Sequence, residues 1–122
     1  MKNKRVYDNM SQAELLVSTY LQKLNLWWEY EQPVFVLDDK DRPRVWTPDF
    51  YIPSLGMYIE VVGDGENPNY SWREAIYRKN QVPIIFITPF RMVQWQSYLI
   101  ERINDMHQNR WEIIRKMSAV VM

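Results

Sequence analysis

Asp49 and Glu60 lie at equal distances from a short loop, each inside an apolar run, a spacing that brings two acids together on a sheet. Residues 44–52 and 57–62 read as strands, and Pro53-Ser54-Leu55-Gly56 between them has the length and residue types of a four-residue hairpin loop. With that loop, Ile52 pairs with Met57, Tyr51 with Tyr58, Phe50 with Ile59 and Asp49 with Glu60. Alternation then puts Trp46, Pro48, Phe50, Ile52, Ile59 and Val61 on one face as a core, and Thr47, Asp49, Tyr51, Tyr58, Glu60 and Val62 on the other. Directly opposed side chains have Cβ atoms about 4.5 to 5.5 Å apart, where like charges repel. Relief can come from basic side chains, from a proton on one acid, or from a hard metal ion that takes oxygens from both. The spacing leaves two plainer arrangements open, a solvated rim of the sheet or a register shifted by one residue.

Several other elements must position such a pair. Ser11-Gln12-Ala13-Glu14 is a capping box, and Ala13, Leu16, Val17, Tyr20, Leu21 and Leu24 continue from it as one apolar stripe, with Asn25 as a left-handed stop. Residues 27–31 and 34–37, interrupted at Pro33, read as one bent or edge strand, and Asp38 to Pro43 as a charged turn. The three strands predict an antiparallel meander. Ser71-Trp72-Arg73-Glu74 repeats the capping-box pattern and predicts a helix to about Asn80. Residues 82–87 are a continuous apolar run reached through that helix, so this strand should lie parallel to residues 57–62. Trp95, Leu99, Ile103 and Met106 predict a further helix, with another over residues 111–117.

The expected fold is therefore α/β of the α+β type, a central mixed four-stranded sheet in the order αβββαβ, flanked by helices and extended by C-terminal helical cover. The 122 residues suit one domain, with a core over about 11–90 and helices over about 91–118. The absence of cysteine removes disulfides, thiolate zinc sites and cysteine nucleophiles together. No run approaches a membrane span and the N-terminal MKNKRVYDNM lacks a signal peptide's apolar core, so the expectation is a soluble cytoplasmic protein. Fifteen basic residues balance fifteen acidic ones, which advertises no polyanion partner yet permits a basic stripe beside an acidic site.

Thr47-Pro48-Asp49-Phe50-Tyr51-Ile52, followed by Tyr58-Ile59-Glu60-Val61-Val62-Gly63, resembles the core of the PD-(D/E)xK nuclease superfamily, which has the restriction-endonuclease-like fold. The resemblance runs from Glu14 to Thr88. It implies an endonuclease that hydrolyses phosphodiester bonds in DNA, RNA not being excluded, with Mg²⁺ or Mn²⁺ held by Asp49 and Glu60. In the family an acid on the first helix often joins the metal, here Glu14, whose capping-box role explains it equally well. Cutting both strands of a duplex would ask for a homodimer of so small a domain.

One position departs from the family pattern. Its lysine, two residues after the Glu, is Val62 here, and that lysine ordinarily stabilises developing negative charge. Some members supply it from the following helix, which here carries Arg73, Arg78 and Lys79, so Arg73 and Lys79 are the candidate catalytic cations. Arg73 runs against the helix dipole, a hint that it answers nearby carboxylates, although all three also suit a solvated helix face. Lys40, Arg42, Arg44 and Arg78 are candidate phosphate contacts, as is the basic arm of Lys2, Lys4 and Arg5, and such charges are equally common on ordinary turns and termini. Trp27, Trp28, Trp46, Tyr70 and Trp72 suit a core more than base stacking, and His107 suits a solvated helix end. The alternative function is a catalytically inactive relative that binds nucleic acid or a protein partner; a third is a purely structural or interaction domain of a phage or mobile element.

Overall fold

The computed structural model describes residues 4–63 and 70–121, the side chains of residues 4, 5 and 121 aside. Helices α1 (Lys4–Asp8) and α2 (Gln12–Lys23) come first, then strands β1 (Glu29–Tyr30), β2 (Val34–Leu37), β3 (Pro43–Trp46), β4 (Phe50–Ile52) and β5 (Met57–Val61). Helix α3 (Tyr70–Lys79), strand β6 (Ile84–Ile87) and helix α4 (Trp95–Val121) complete the chain. The central sheet is mixed and four-stranded, in the order β1-β4-β5-β6, with β6 parallel to β5 and the other neighbours antiparallel. Leaving out β2 and β3, the elements from α2 to β6 run αβββαβ, so the expected mixed class and sheet are present. Among the described residues no helix is long and apolar enough to cross a membrane.

The two long strands expected before the hairpin loop are each broken in two. Residues 27–37 divide into β1, which joins the central sheet, and β2, which pairs with β3 as a separate two-stranded hairpin. The break falls where Glu31 takes φ 57° and Pro33 has no amide to donate. Residues 44–52 divide at Thr47 and Pro48 into β3 and β4. Trp46 therefore leaves the face assigned to it and packs with Val34, Val36, Ile76, Tyr77 and Ile84 on the α3 side. Phe50, Ile52, Ile59 and Val61 keep their assigned face, buried with Val17, Leu21, Trp28, Ile85, Ile87 and Leu99 between the sheet, α2 and α4. Trp28 sets its edge against Phe50 at 5.2 Å, and such a pair adds about 1 kcal/mol to the area it buries.

The hairpin register is the expected one, Ile52 with Met57, Tyr51 with Tyr58 and Phe50 with Ile59, and Gly56 at φ 60° closes its loop. Ser11 and Glu14 make both bonds of the capping box, and Asn25 takes the left-handed conformation at φ 60°. The second capping box is not used, because α3 already begins at Tyr70 and Ser71 lies within it. The two expected C-terminal helices are one continuous helix of 27 residues. The basic arm is in part helical: Lys4 and Arg5 belong to α1, whose Val6 and Tyr7 pack on the core, while Lys2 lies outside the described residues.

The β2-β3 hairpin is organised by Asp38, fully buried at its turn. One carboxylate oxygen accepts the amides of Lys40 and Arg42, and the other accepts Arg42 Nε at 3.1 Å and Arg44 Nε at 2.8 Å. The Arg44 hydrogen bond, set against the effect of burial, holds this carboxyl well below the usual carboxylate range. Replacing Asp38 by alanine is therefore expected to loosen the hairpin selectively. Amide exchange should accelerate across residues 34–46 and remain slow in β5 and β6. Uniform protection in the variant would contradict this role.

Candidate functional site

Three acids, from α2, from the link before β4 and from β5, come together near the carboxyl end of β5. Pro48 and the break before β4 leave Asp49 just outside the ladder, where its carbonyl accepts the Glu31 amide at 3.0 Å. Its carboxylate takes the place of a backbone acceptor, Oδ2 receiving the Val61 amide at 2.6 Å. Asp49 and Glu60 are thus neighbours through the amide next to Glu60, and the cross-strand pair drawn from the register stops one step earlier, at Phe50 and Ile59. Glu14 arrives on the first turn of α2. Its Oε1 accepts the Ser11 amide at 2.8 Å and the Tyr30 hydroxyl at 3.0 Å, and its carboxylate meets that of Asp49. The cap and the acidic site therefore use the same side chain.

Glu60 is 8 % exposed and faces α3, where Arg73 Nη1 lies 3.6 Å from Oε2. The Arg73 guanidinium stacks on Trp46 at 5.2 Å, and Trp46 sets its edge to Trp72 at 5.5 Å. Arg44 lies over Trp72 in turn at 5.3 Å, so two cations bracket a pair of rings between the β2-β3 hairpin and Glu60. Arginine is suited to such stacking because its guanidinium is planar and weakly hydrated. Val62, at the position of the family's lysine, is 8 % exposed, and its amide donates to Ile87 O at 2.7 Å.

The electrostatics follow from crowding acids in a dry place. Burial, the hydrogen bond with Glu14 and the charge of Glu60 push the Asp49 carboxyl far above the carboxylate range, against the Val61 amide. Burial raises Glu60 to about 7, Arg73 opposing and the charge of Glu14 adding to the rise. Burial also pushes Glu14 upward, but its hydrogen bonds with Asp49, Ser11 and Tyr30 outweigh it and leave the group below its ordinary value. With Asp49 pushed up and Glu14 held down, the contact between them favours a proton on the Asp49 side. Were all three acids ionised against one guanidinium, two negative charges would remain uncompensated, which is the charge of one divalent cation. Glu60 Oε1 is buried with no hydrogen-bond partner among the described residues. A native protein rarely leaves a buried carboxylate oxygen in that state. The donor set is all oxygen, as magnesium or manganese prefers. These residues fit such an ion, although among the described residues no three acids or imidazoles already stand in ligand geometry.

Groups raised by folding bind protons more tightly folded than unfolded. Their contribution to stability is full below the unfolded pKa and fades as pH climbs through the folded one. For Glu60 that window runs from 4.5 to about 7, and Asp49 extends it upward. In chelator, the melting temperature is expected to fall from about pH 5 to about pH 8. Magnesium or manganese, which competes with the protons, should restore it at the upper pH and not at the lower. A profile that is flat or rises across this range would contradict a protonated cluster.

The remaining candidates are placed as follows. Lys79 is committed to the hairpin turn, its Nζ donating to Asp38 O at 2.6 Å and to Asp41 Oδ1 at 2.8 Å. Arg73 is the cation brought to the acids. Arg42 and Arg44 bind Asp38, Lys40 is exposed on the same turn, and Arg78 is exposed with its guanidinium 3.9 Å from Glu74. These four lie on the α3 and hairpin side of the sheet and do not touch the acids. Trp28, Trp46 and Trp72 belong to the core clusters, and His107 is exposed on α4. Sequence reasoning missed Tyr30 and Trp46 as supports of the site. Tyr30 pairs with Phe50, the residue after Asp49, which brings its hydroxyl to the acids, whereas Trp46 carried no signal before the break at Pro48 was known. No family model, no curated protein and no solved structure matches this chain.

Proposed function

We propose that this chain is a divalent-metal-dependent endonuclease of the PD-(D/E)xK type acting on DNA. In this reading Asp49, Glu60 and Glu14 hold the metal, and Arg73 stands in for the motif lysine. The observation that carries the reading is the meeting of one buried and two half-buried acids with one guanidinium at the end of the central hairpin, short by the charge of one divalent ion. A bound magnesium or manganese ion would polarise the scissile phosphodiester and make a water acidic enough to attack it.

The chain's own residues do the positioning. The Val61 amide fixes one oxygen of Asp49, and the Ser11 amide and Tyr30 hydroxyl fix Glu14. Trp46 holds the Arg73 guanidinium toward Glu60, where it can meet the charge that develops on the phosphate oxygens. Loss of the proton on the Asp49 side readies the acids for the metal, so activity should climb with pH through the neutral range. Lys40, Arg42 and Arg44 at the hairpin turn are suited to nonspecific phosphate contact beyond the acids.

A second reading is a catalytically silent relative that binds nucleic acid or a protein, favoured by the burial of Val62 and by an Arg73 already paired with Glu60. Incubation with single-stranded, duplex and branched DNA in magnesium or manganese separates the two. The endonuclease reading expects cleavage that disappears in Asp49→Ala. Salt-sensitive binding without product would support the silent relative instead.

A further inference from the structure

Packing explains the ring of Tyr77 and leaves its hydroxyl unexplained. Tyr77 follows Arg73 by one turn of α3, so both side chains leave the same face of the helix. It is fully buried, beside Val34, Val36, Ile76 and Ile84. Its ring stands edge-on to Trp46 at 5.2 Å, the indole that also carries the Arg73 guanidinium, and lies 6.3 Å from the ring of Phe86. Phe86 is the partner of Glu60 in the parallel ladder, so the Tyr77 ring packs over the sheet position next to Glu60. A phenylalanine would meet every one of these ring contacts.

The Tyr77 hydroxyl has no hydrogen-bond partner among the described residues, a state it shares with Glu60 Oε1. Buried phenols ordinarily find a partner, and an unmet one costs the desolvation of the group. The two unmet oxygens belong to one neighbourhood. Burial raises the Tyr77 hydroxyl above its ordinary pKa, Arg73 opposes the rise without coming within a hydrogen bond, and the charges of Glu60 and Asp49 add to it. The chemistry of the groups narrows what can satisfy both. Ionised Glu60 and Asp49 only accept and Arg73 only donates, whereas a phenol does both. A hard cation takes carboxylate oxygens as ligands and keeps waters of its own. A hydroxyl beside such a cation can donate to a ligating carboxylate and accept from a metal-bound water, which holds both in one orientation.

We propose that Tyr77 is a positioning residue of the metal site, its buried hydroxyl hydrogen-bonding the ligand shell of the bound cation and so fixing Glu60 for coordination. The inference rests on the reading of the acids as a magnesium or manganese site and does not need the cleavage of DNA. Tyr77→Phe tests it, because the exchange keeps the ring and removes only the oxygen. Titration of the metal-free variant with Mn²⁺ at about pH 8 is expected to show a Kd raised about tenfold or more over the wild type, the scale of losing an outer hydrogen-bond partner of a metal ligand. In chelator its melting temperature should be unchanged or higher, since the group removed has no partner in the metal-free fold. A hydroxyl that served the fold would give the reverse, a lower melting temperature in chelator and an unchanged Kd. Either of those results would overturn the proposal, and an unchanged Kd beside a wild type that binds manganese would leave the metal reading standing. A wild type that binds no manganese would overturn both.

Discussion

Exchanging Glu60 for glutamine is expected to stabilise the metal-free protein and to abolish its cleavage of DNA. Glu60 is raised from 4.5 to about 7, so at pH above that value the folded state carries a carboxylate it holds less readily than the unfolded chain does. Each pKa unit corresponds to about 1.4 kcal/mol, and a neutral amide should recover a stabilisation on the order of 1 to 3 kcal/mol. In a domain of this size that appears as a melting temperature higher by several degrees in chelator at about pH 8. The same exchange removes a carboxylate from the proposed metal, and cleavage should fall by about 10²-fold or more. Asp49→Asn should behave alike, because its amide oxygen can still accept the Val61 amide and its nitrogen can donate to Glu14. A loss of stability in both variants would mean that the acids are structural ion-pair partners, and the functional reading would lose its main support.

Arg73 carries the second large effect. Arg73→Ala is expected to lower cleavage by about 10²-fold, the scale of removing one group aimed at developing charge, while metal still raises the melting temperature. Because the Arg73 charge lowers Glu60, its loss should raise Glu60 further and shift the metal response to higher pH. Arg73→Lys should retain part of the activity, since the charge remains and the stacking on Trp46 weakens. Trp46→Leu should act in the same direction with a smaller loss. Cleavage rates across pH, measured beside metal-dependent melting, separate an Arg73 that meets the phosphate from one that only neutralises Glu60. In the latter case, raising pH would not deepen the defect and the metal response would fail with the activity.

What was legible in the sequence came from local rules that tertiary packing respected. Pro53 to Gly56 set the hairpin register, the Ser11 box started α2, and the apolar run at Ile84 to Ile87 became the parallel strand. What was not legible followed from two breaks. Pro33 and Pro48 are compatible with bent strands, and only packing decides that β2 and β3 leave the central sheet to form their own hairpin. That departure moved Trp46 to the α3 side, made it the platform for Arg73, and gave Lys79 a hairpin turn to bind. Strand alternation alone had placed Val62 with the polar residues. Val62 instead lies one residue past β5, where its amide still donates to Ile87 O and its side chain is buried.

Binding of Mn²⁺ to the metal-free protein, followed by electron paramagnetic resonance at about pH 8, tests the acidic cluster most directly. At least one bound ion per chain is predicted in the wild type, competed away by magnesium and by protons as the pH is lowered toward about 5, and lost in Glu60→Gln and in Asp49→Asn. Absence of binding in the wild type, or binding that survives both substitutions, would contradict a metal held by Asp49 and Glu60.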